Sequence, residues 1–109
     1  MNILFVLHDP PYGTERVYNG LRWATELARQ NVDVRVFLFG DSVISVMAGQ
    51  KVPDGYYNVA KQLTALGQLG VAIGSCGTCL DARGISADLA LEVAHRSSMK
   101  ELTEPRFAV

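Results

Sequence analysis

Apolar positions along the chain switch between two periods, and the switch divides it into strands and helices. Residues 3–7 form an uninterrupted apolar run closed by His8-Asp9-Pro10-Pro11. That pattern predicts a strand buried on both faces, stopped where proline removes the amide donor. From 15 to 30 the apolar residues Val17, Leu21, Ala24, Leu27 and Ala28 recur every three or four positions. They predict a helix with one buried stripe, Thr14 as N-cap and Glu15 as an anion at its positive end. Residues 32–39 read as a second strand, with Val34, Val36 and Leu38 on one face and Phe37 and Phe39 on the other. Arg35 interrupts this pattern and is expected towards an edge. A short helix over 43–48, capped by Asp41 or Ser42, leads to a polar loop over 49–57 with the turn signature Pro53-Asp54-Gly55.

Asn58 caps a further predicted helix whose apolar face is Val59, Leu63, Leu66 and Leu69, ended by Gly70. Residues 71–73 predict a brief third strand, and 74–84 a loop. Beyond it lie a helix-like stretch over 87–93, a strand over 92–96, and a helix over 99–104 capped by Ser98. Residues 106–109 are the candidate for a last strand. The alternation predicts one α/β domain over 1–109, a flavodoxin-like three-layer sandwich with a mostly parallel sheet of about five strands. In that order the third strand lies beside the first, and helices cover both faces. Ligands then collect at the carboxyl ends of those two strands, so the loops 8–13 and 76–84 are expected to face one crevice.

Composition narrows the function. The 109 residues are 49% hydrophobic and 19% charged, which suits a folded globule. Ten basic residues against eleven acidic ones give a net charge of -1, so direct nucleic-acid binding is not expected. No run approaches the roughly 18 apolar residues of a membrane span, and the opening apolar run has no basic flank. A cytoplasmic protein with no membrane contact is the expectation. The chain has two cysteines, too few for a secreted disulfide scaffold, which points to chemistry rather than cross-linking.

Both cysteines lie in Gly74-Ser75-Cys76-Gly77-Thr78-Cys79-Leu80-Asp81-Ala82-Arg83-Gly84. A buried strand delivering Cys76 to a glycine-rich turn would aim several amides at its sulfur, and Arg83 would supply a cation. Both lower a thiol pKa, and the thiolate is the reactive form. A C-x-x-C pair admits several chemistries. Zinc needs about four ligands, so His8, His95 or a carboxylate would have to join the cysteines. A thioredoxin-like dithiol sits at a helix start within a different strand order, and no residue here reads as its cis-proline partner. Two small buried hydrophobes are the plain structural alternative, although Gly, Thr, Asp and Arg make a poor core around them.

The stretch from Cys76 to Ile85 resembles the cysteine loop of the DsrE/DsrF-like family, in particular its small YchN-like branch. Pro11-Tyr12-Gly13-Thr14-Glu15 is similar to that branch's first loop and helix start. Phe37 to Val43 is similar to its second strand and turn, Gly49-Gln50-Lys51 and Gly55-Tyr56-Tyr57-Asn58 to its middle loop, and Ser97 to Leu102 to its final helix start. The resemblance implies a flavodoxin-like fold assembled as homotrimers or homohexamers. It also implies, for some members, sulfur carried as a persulfide on one cysteine. Cys76 matches that carrier position, and Cys79 matches the second cysteine of the YchN-like branch.

The leading functional expectation is therefore a sulfur carrier without metal or organic cofactor. It would take sulfur from a donor protein as a persulfide on Cys76 and pass it to an acceptor protein, in the manner of a persulfide sulfurtransferase. Cys79 would resolve the persulfide or protect it. A thiol–disulfide redox protein or sensor using both sulfurs is the second class, and a non-enzymatic oligomeric binding module the third. Supporting roles are assigned to Arg83, Gly77 and Thr78, which hold the anion. Asp81 orders the loop or pairs with Arg83. His8, Tyr12 and Glu15 are placed near the crevice. For His8 the competing role is to order the Pro-Pro turn. Trp23, Tyr56 and Tyr57 are candidate subunit contacts, and His95 has no evident partner in the sequence.

Overall fold

The computed structural model describes residues 1–104. Four parallel strands make one sheet: β1 (Asn2–Leu7), β2 (Asp33–Leu38), β3 (Ala72–Cys76) and β4 (His95–Ser97). The helices are α1 (Arg16–Arg29), α2 (Val59–Gln68), α3 (Gly77–Ala82) and α4 (Met99–Leu102), with 3-10 turns at Gly40–Val46 and Ala87–Leu89. The domain is thus a mixed α/β unit with a parallel sheet, as the alternation predicts. The sheet has four strands rather than about five among the described residues; 106–109 lie outside them.

Strand order departs from the expectation. The sheet runs β1-β2-β3-β4, so β2 and not β1 neighbours β3. Burial explains why. In β2, Val34, Val36, Phe37 and Leu38 are all buried, whereas β1 alternates, leaving Leu4 36% and Val6 41% exposed. The apolar run of β1 is therefore not buried on both faces. Arg35 is correspondingly not near an edge: it pairs with Leu4 on one side and Ala72 on the other. The two long helices share one face. Trp23 of α1 meets Phe5 edge-on at 5.4 Å, and α2 packs beside α1.

Local sequence sets the helix ends. α1 buries Val17, Leu21 and Ala24 and begins one residue later than predicted. Glu15 is its N-cap residue and makes no side-chain cap. The Thr14 hydroxyl instead accepts from the Arg16 amide at 3.2 Å and donates to Asp9 at 3.0 Å. α2 is capped as predicted, Asn58 Oδ1 accepting from the Lys61 amide at 3.1 Å. Val59, Leu63 and Leu66 are fully buried, but Leu69 falls past the helix and is 45% exposed. Pro53 to Tyr56 closes a turn through Tyr56 N–H to Pro53 C=O at 3.2 Å, with Gly55 at φ +86. That angle at the third position is the reason for glycine there.

The largest departure from the predicted elements lies in 71–84. The third strand continues through Gly74-Ser75-Cys76, and α3 follows at once where a loop is predicted. Downstream, the helix-like stretch contracts to a single 3-10 turn. The chain then bridges back to the 3-10 turn after β2 through Met47 and Ala90. β4 lies slightly later than its predicted span of 92–96.

Glu101 ties α4 to β4. Its carboxylate accepts from the Ser97 hydroxyl and faces His95 Nε2, which gives His95 the partner its sequence context does not reveal. The Ser97 hydrogen bond and, next, the His95 contact hold the Glu101 carboxyl below its ordinary value of 4.5. A carboxyl depressed on folding adds stability above its unfolded pKa. That stability is lost as pH falls through the depressed folded value. Urea titrations should therefore show a smaller loss of stability on acidification below pH 4.5 for Glu101→Gln than for the parent chain. Equal losses would remove Glu101 as a contributor.

Candidate functional site

Strand β3 ends at Cys76, and α3 starts at the next residue, so Cys76 occupies the N-cap and Cys79 the first turn. Residues three apart on a helix share a side. The Cys79 thiol is near enough to raise the Cys76 pKa, and neither cysteine is in a disulfide. Their surroundings differ. Cys76 is only 8% exposed, while Cys79 is half-buried and its sulfur accepts the Gly40 amide at 3.2 Å. Gly40 has φ +55, a left-handed conformation that turns the chain at the end of β2.

Cys76 is accordingly a buried thiol rather than one open to solvent. Burial is the dominant influence on its thiol and pushes its pKa above the ordinary 9.0. The amides of Cys79 and Thr78 oppose this, and the neighbouring Cys79 thiol reinforces it. The amides come from the first turn of α3. They act without closing a side-chain cap bond, and neither Gly74 nor Gly77 has a positive φ. A helix start, not a glycine-rich nest, supplies the oriented donors.

The cation at this site is Arg96 and not Arg83. A methyl group on Gly77 would lie 2.9 Å from Cζ, Nε and Nη2 of Arg96, so the absent side chain leaves room for that guanidinium beside Cys76. Arg96 is anchored by Asp81 through a two-pronged contact, Nη1 to Oδ1 at 2.9 Å and Nη2 to Oδ2 at 2.7 Å. Each partner is shifted toward its charged form, Asp81 downward and Arg96 upward, and the Cys76 sulfur adds to the Arg96 shift. Arg83 instead reaches Asp41 at 2.8 Å and the Cys79 carbonyl at 3.1 Å, bracing α3 against the exit of β2.

Three expected neighbours lie elsewhere. Because β2 separates β1 from β3, the loop 8–13 and the cysteines follow strands that are not neighbours. Exposed His8 stacks on Phe39 at 5.5 Å. The Tyr12 hydroxyl donates to Gln50 at 2.5 Å and accepts from the Val59 amide at 3.0 Å, and its ring stacks on Tyr57. Glu15 is exposed at the start of α1. A separate cleft of about 810 Å³ lies between α1 and the 52–58 loop, with Trp23, Tyr56 and Lys61 in its walls. Neither cysteine lines it. No helix among the described residues is long and apolar enough to cross a membrane.

The chain and its fold are similar to those of several known proteins. The chain is 36% identical to Protein YchN of Escherichia coli K12 over 104 residues, covering 94% of this chain and 88% of that protein. It is 33% identical over 100 residues to the uncharacterized protein MK0008 of Methanopyrus kandleri, covering 92% of this chain and 82% of that one. The crystal structure of the E. coli ychN protein superposes with a TM-score of 0.87 at 36% identity, over 94% of this chain and 88% of that chain. Protein MTH1491 of Methanobacterium thermoautotrophicum, of unknown function, shares the fold at a TM-score of 0.69 and 18% identity, over 89% of this chain and 80% of its own. Residues 1–104 match the sequence profile of the DsrE/DsrF-like family, and the chain belongs to that family.

Proposed function

We propose that the protein is a sulfur carrier that holds one sulfane sulfur as a persulfide on Cys76 and delivers it to a partner. The observation that carries this reading is the placement of Cys76. It ends β3 and faces the first-turn amides of α3, with the Arg96 guanidinium beside it and a second thiol near enough to raise its pKa. An anionic persulfide needs such donors, and burial protects it from stray thiols. Membership in a family of sulfur-relay type supports the same reading. The chemistry asks for no metal and no organic cofactor, and it suits a reducing compartment such as the cytoplasm.

A carrier must also dock donor and acceptor proteins. Large apolar side chains lie open for self-association as a homotrimer or homohexamer, among them Leu4, Val6, Trp23 and Tyr56. Light scattering gives the oligomer mass directly, and a monomer would exclude that assembly. The carrier reading is tested by intact-protein mass after exposure to a persulfide donor. The chain should gain about 32 Da, one sulfur atom, and a variant lacking both cysteines should gain nothing. No gain on the parent chain would sink the proposal.

The nearness of the two thiols favours one second reading, a thiol–disulfide redox protein. Measuring the potential of the pair separates the two. A value inside the range of exchange proteins, roughly -270 to -120 mV, together with no retained sulfur, would select it.

A further inference from the structure

The two cysteines differ in access, and the difference assigns them separate tasks. Cys76 is 8% exposed and belongs to the core cluster with Leu80 and Ile85. A donor protein reaches a sulfur so covered less readily than it reaches Cys79. Cys79 lies half-buried in the first turn of the helix that Cys76 caps, three residues away. Its sulfur already receives the Gly40 amide at 3.2 Å, a donor suited to a thiolate in the attacking or departing state. Building on the carrier reading above, we infer that Cys79 is the port through which sulfur enters and leaves, and that Cys76 is filled from Cys79 rather than from the donor directly.

The steps balance without an oxidant. The Cys79 thiolate attacks the outer sulfur of a donor R–S–SH. A bond forms between Cys79 Sγ and that sulfur, the donor S–S bond breaks, and R–S⁻ leaves. The Cys76 thiolate then attacks the outer sulfur of Cys79–S–SH. The new S–S bond at Cys76 forms as the old one breaks, and Cys79 departs as a thiolate facing the Gly40 amide. The proton lost by Cys76 goes to solvent or to that thiolate. The transferred sulfur keeps its oxidation state throughout, and delivery is the reverse sequence with an acceptor thiol. No disulfide between the two cysteines is needed, which separates this role from a resolving one.

Time-resolved intact mass and peptide mapping with glutathione persulfide as donor test the assignment on the parent chain and two variants. In the parent, sulfur should appear on Cys79 first and then on Cys76. Cys79→Ser should load Cys76 about tenfold more slowly, and Cys76→Ser should load Cys79 at the parent's initial rate. The sulfur held by Cys76→Ser should be stripped by cyanide about tenfold faster than the parent's, because it lacks the shielded position. Near-ultraviolet circular dichroism checks that both variants keep the fold. Loading of Cys76 in Cys79→Ser at the parent's rate, or sulfur on Cys76 before Cys79, would overturn the port. Absence of sulfur from both positions of the parent would instead remove the carrier reading itself.

Discussion

Replacing Arg96 by glutamine should slow alkylation of Cys76 at neutral pH about tenfold, and replacing Asp81 by asparagine should accelerate it by a similar factor. The two substitutions dismantle one ion pair from opposite ends. Arg96 and Asp81 form one ion pair, and Cys76 is among the groups that act on the Arg96 guanidinium. Arg96→Gln removes a cation that interacts with a thiol whose pKa burial has already raised, so the thiolate becomes rarer. Asp81→Asn leaves the guanidinium unopposed, so the thiolate becomes commoner. A charge at this range shifts a pKa by about one unit or more, and each unit changes the thiolate fraction tenfold while the thiol predominates. The measurement is the pH dependence of iodoacetamide alkylation in a Cys79→Ser background, where Cys76 is the one remaining cysteine. Gly77→Ala provides a third arm. Its methyl would fall 2.9 Å from the guanidinium, a flexible side-chain end that can swing away, so it should resemble Arg96→Gln without a large loss of stability. Changes in one direction for both members of the pair would show that the effect is structural and not electrostatic.

Much of this arrangement is legible in the sequence, and the parts that are not have physical reasons. α1 and α2 declare themselves because a 3.6-residue apolar period and an Asn58 cap are local signals. Strand order is not local. β1 and β2 have similar apolar content, and only their different partners decide which is central. Gly74-Ser75-Cys76 reads as loop because glycine and serine are poor strand formers in isolation. Between β2 and β4 the same small residues fill a tightly enclosed strand, buried along its whole length. Missing α3 then misassigns the ion pair. In a loop, Asp81 and Arg83 look like natural partners, but two residues apart on a helix they point different ways. Asp81 is thereby free to meet Arg96 across from α3, and the i,i+4 relation places Arg83 against the Cys79 carbonyl. Recognising the helix is the one signal that would have redirected both arginines. Even so, the distance between Asp81 and Arg96 along the chain hides their contact until β4 is in place.

The same dependence on β4 makes Gly67 a second sensitive position. Gly67→Ala should lower stability by up to about 2 kcal/mol, although alanine is the better helix former. An exposed helical glycine replaced by alanine gains about 1 kcal/mol. Here the new methyl would stand 2.1 Å from Val93 Cγ2 and 3.5 Å from Val93 Cβ. Valine is stiff at its first side-chain torsion, so it cannot fold away as Arg96 can. The overlap must be relieved by moving α2 from the segment that leads into β4, and overpacking of this kind costs about 1–3 kcal/mol. Urea unfolding of Gly67→Ala, Val93→Ala and the double variant separates the causes. Val93→Ala removes the obstructing methyls, so the double variant should be more stable than the sum of the single effects by at least about 1 kcal/mol. Strict additivity would mean that Gly67 is retained for some reason other than this contact.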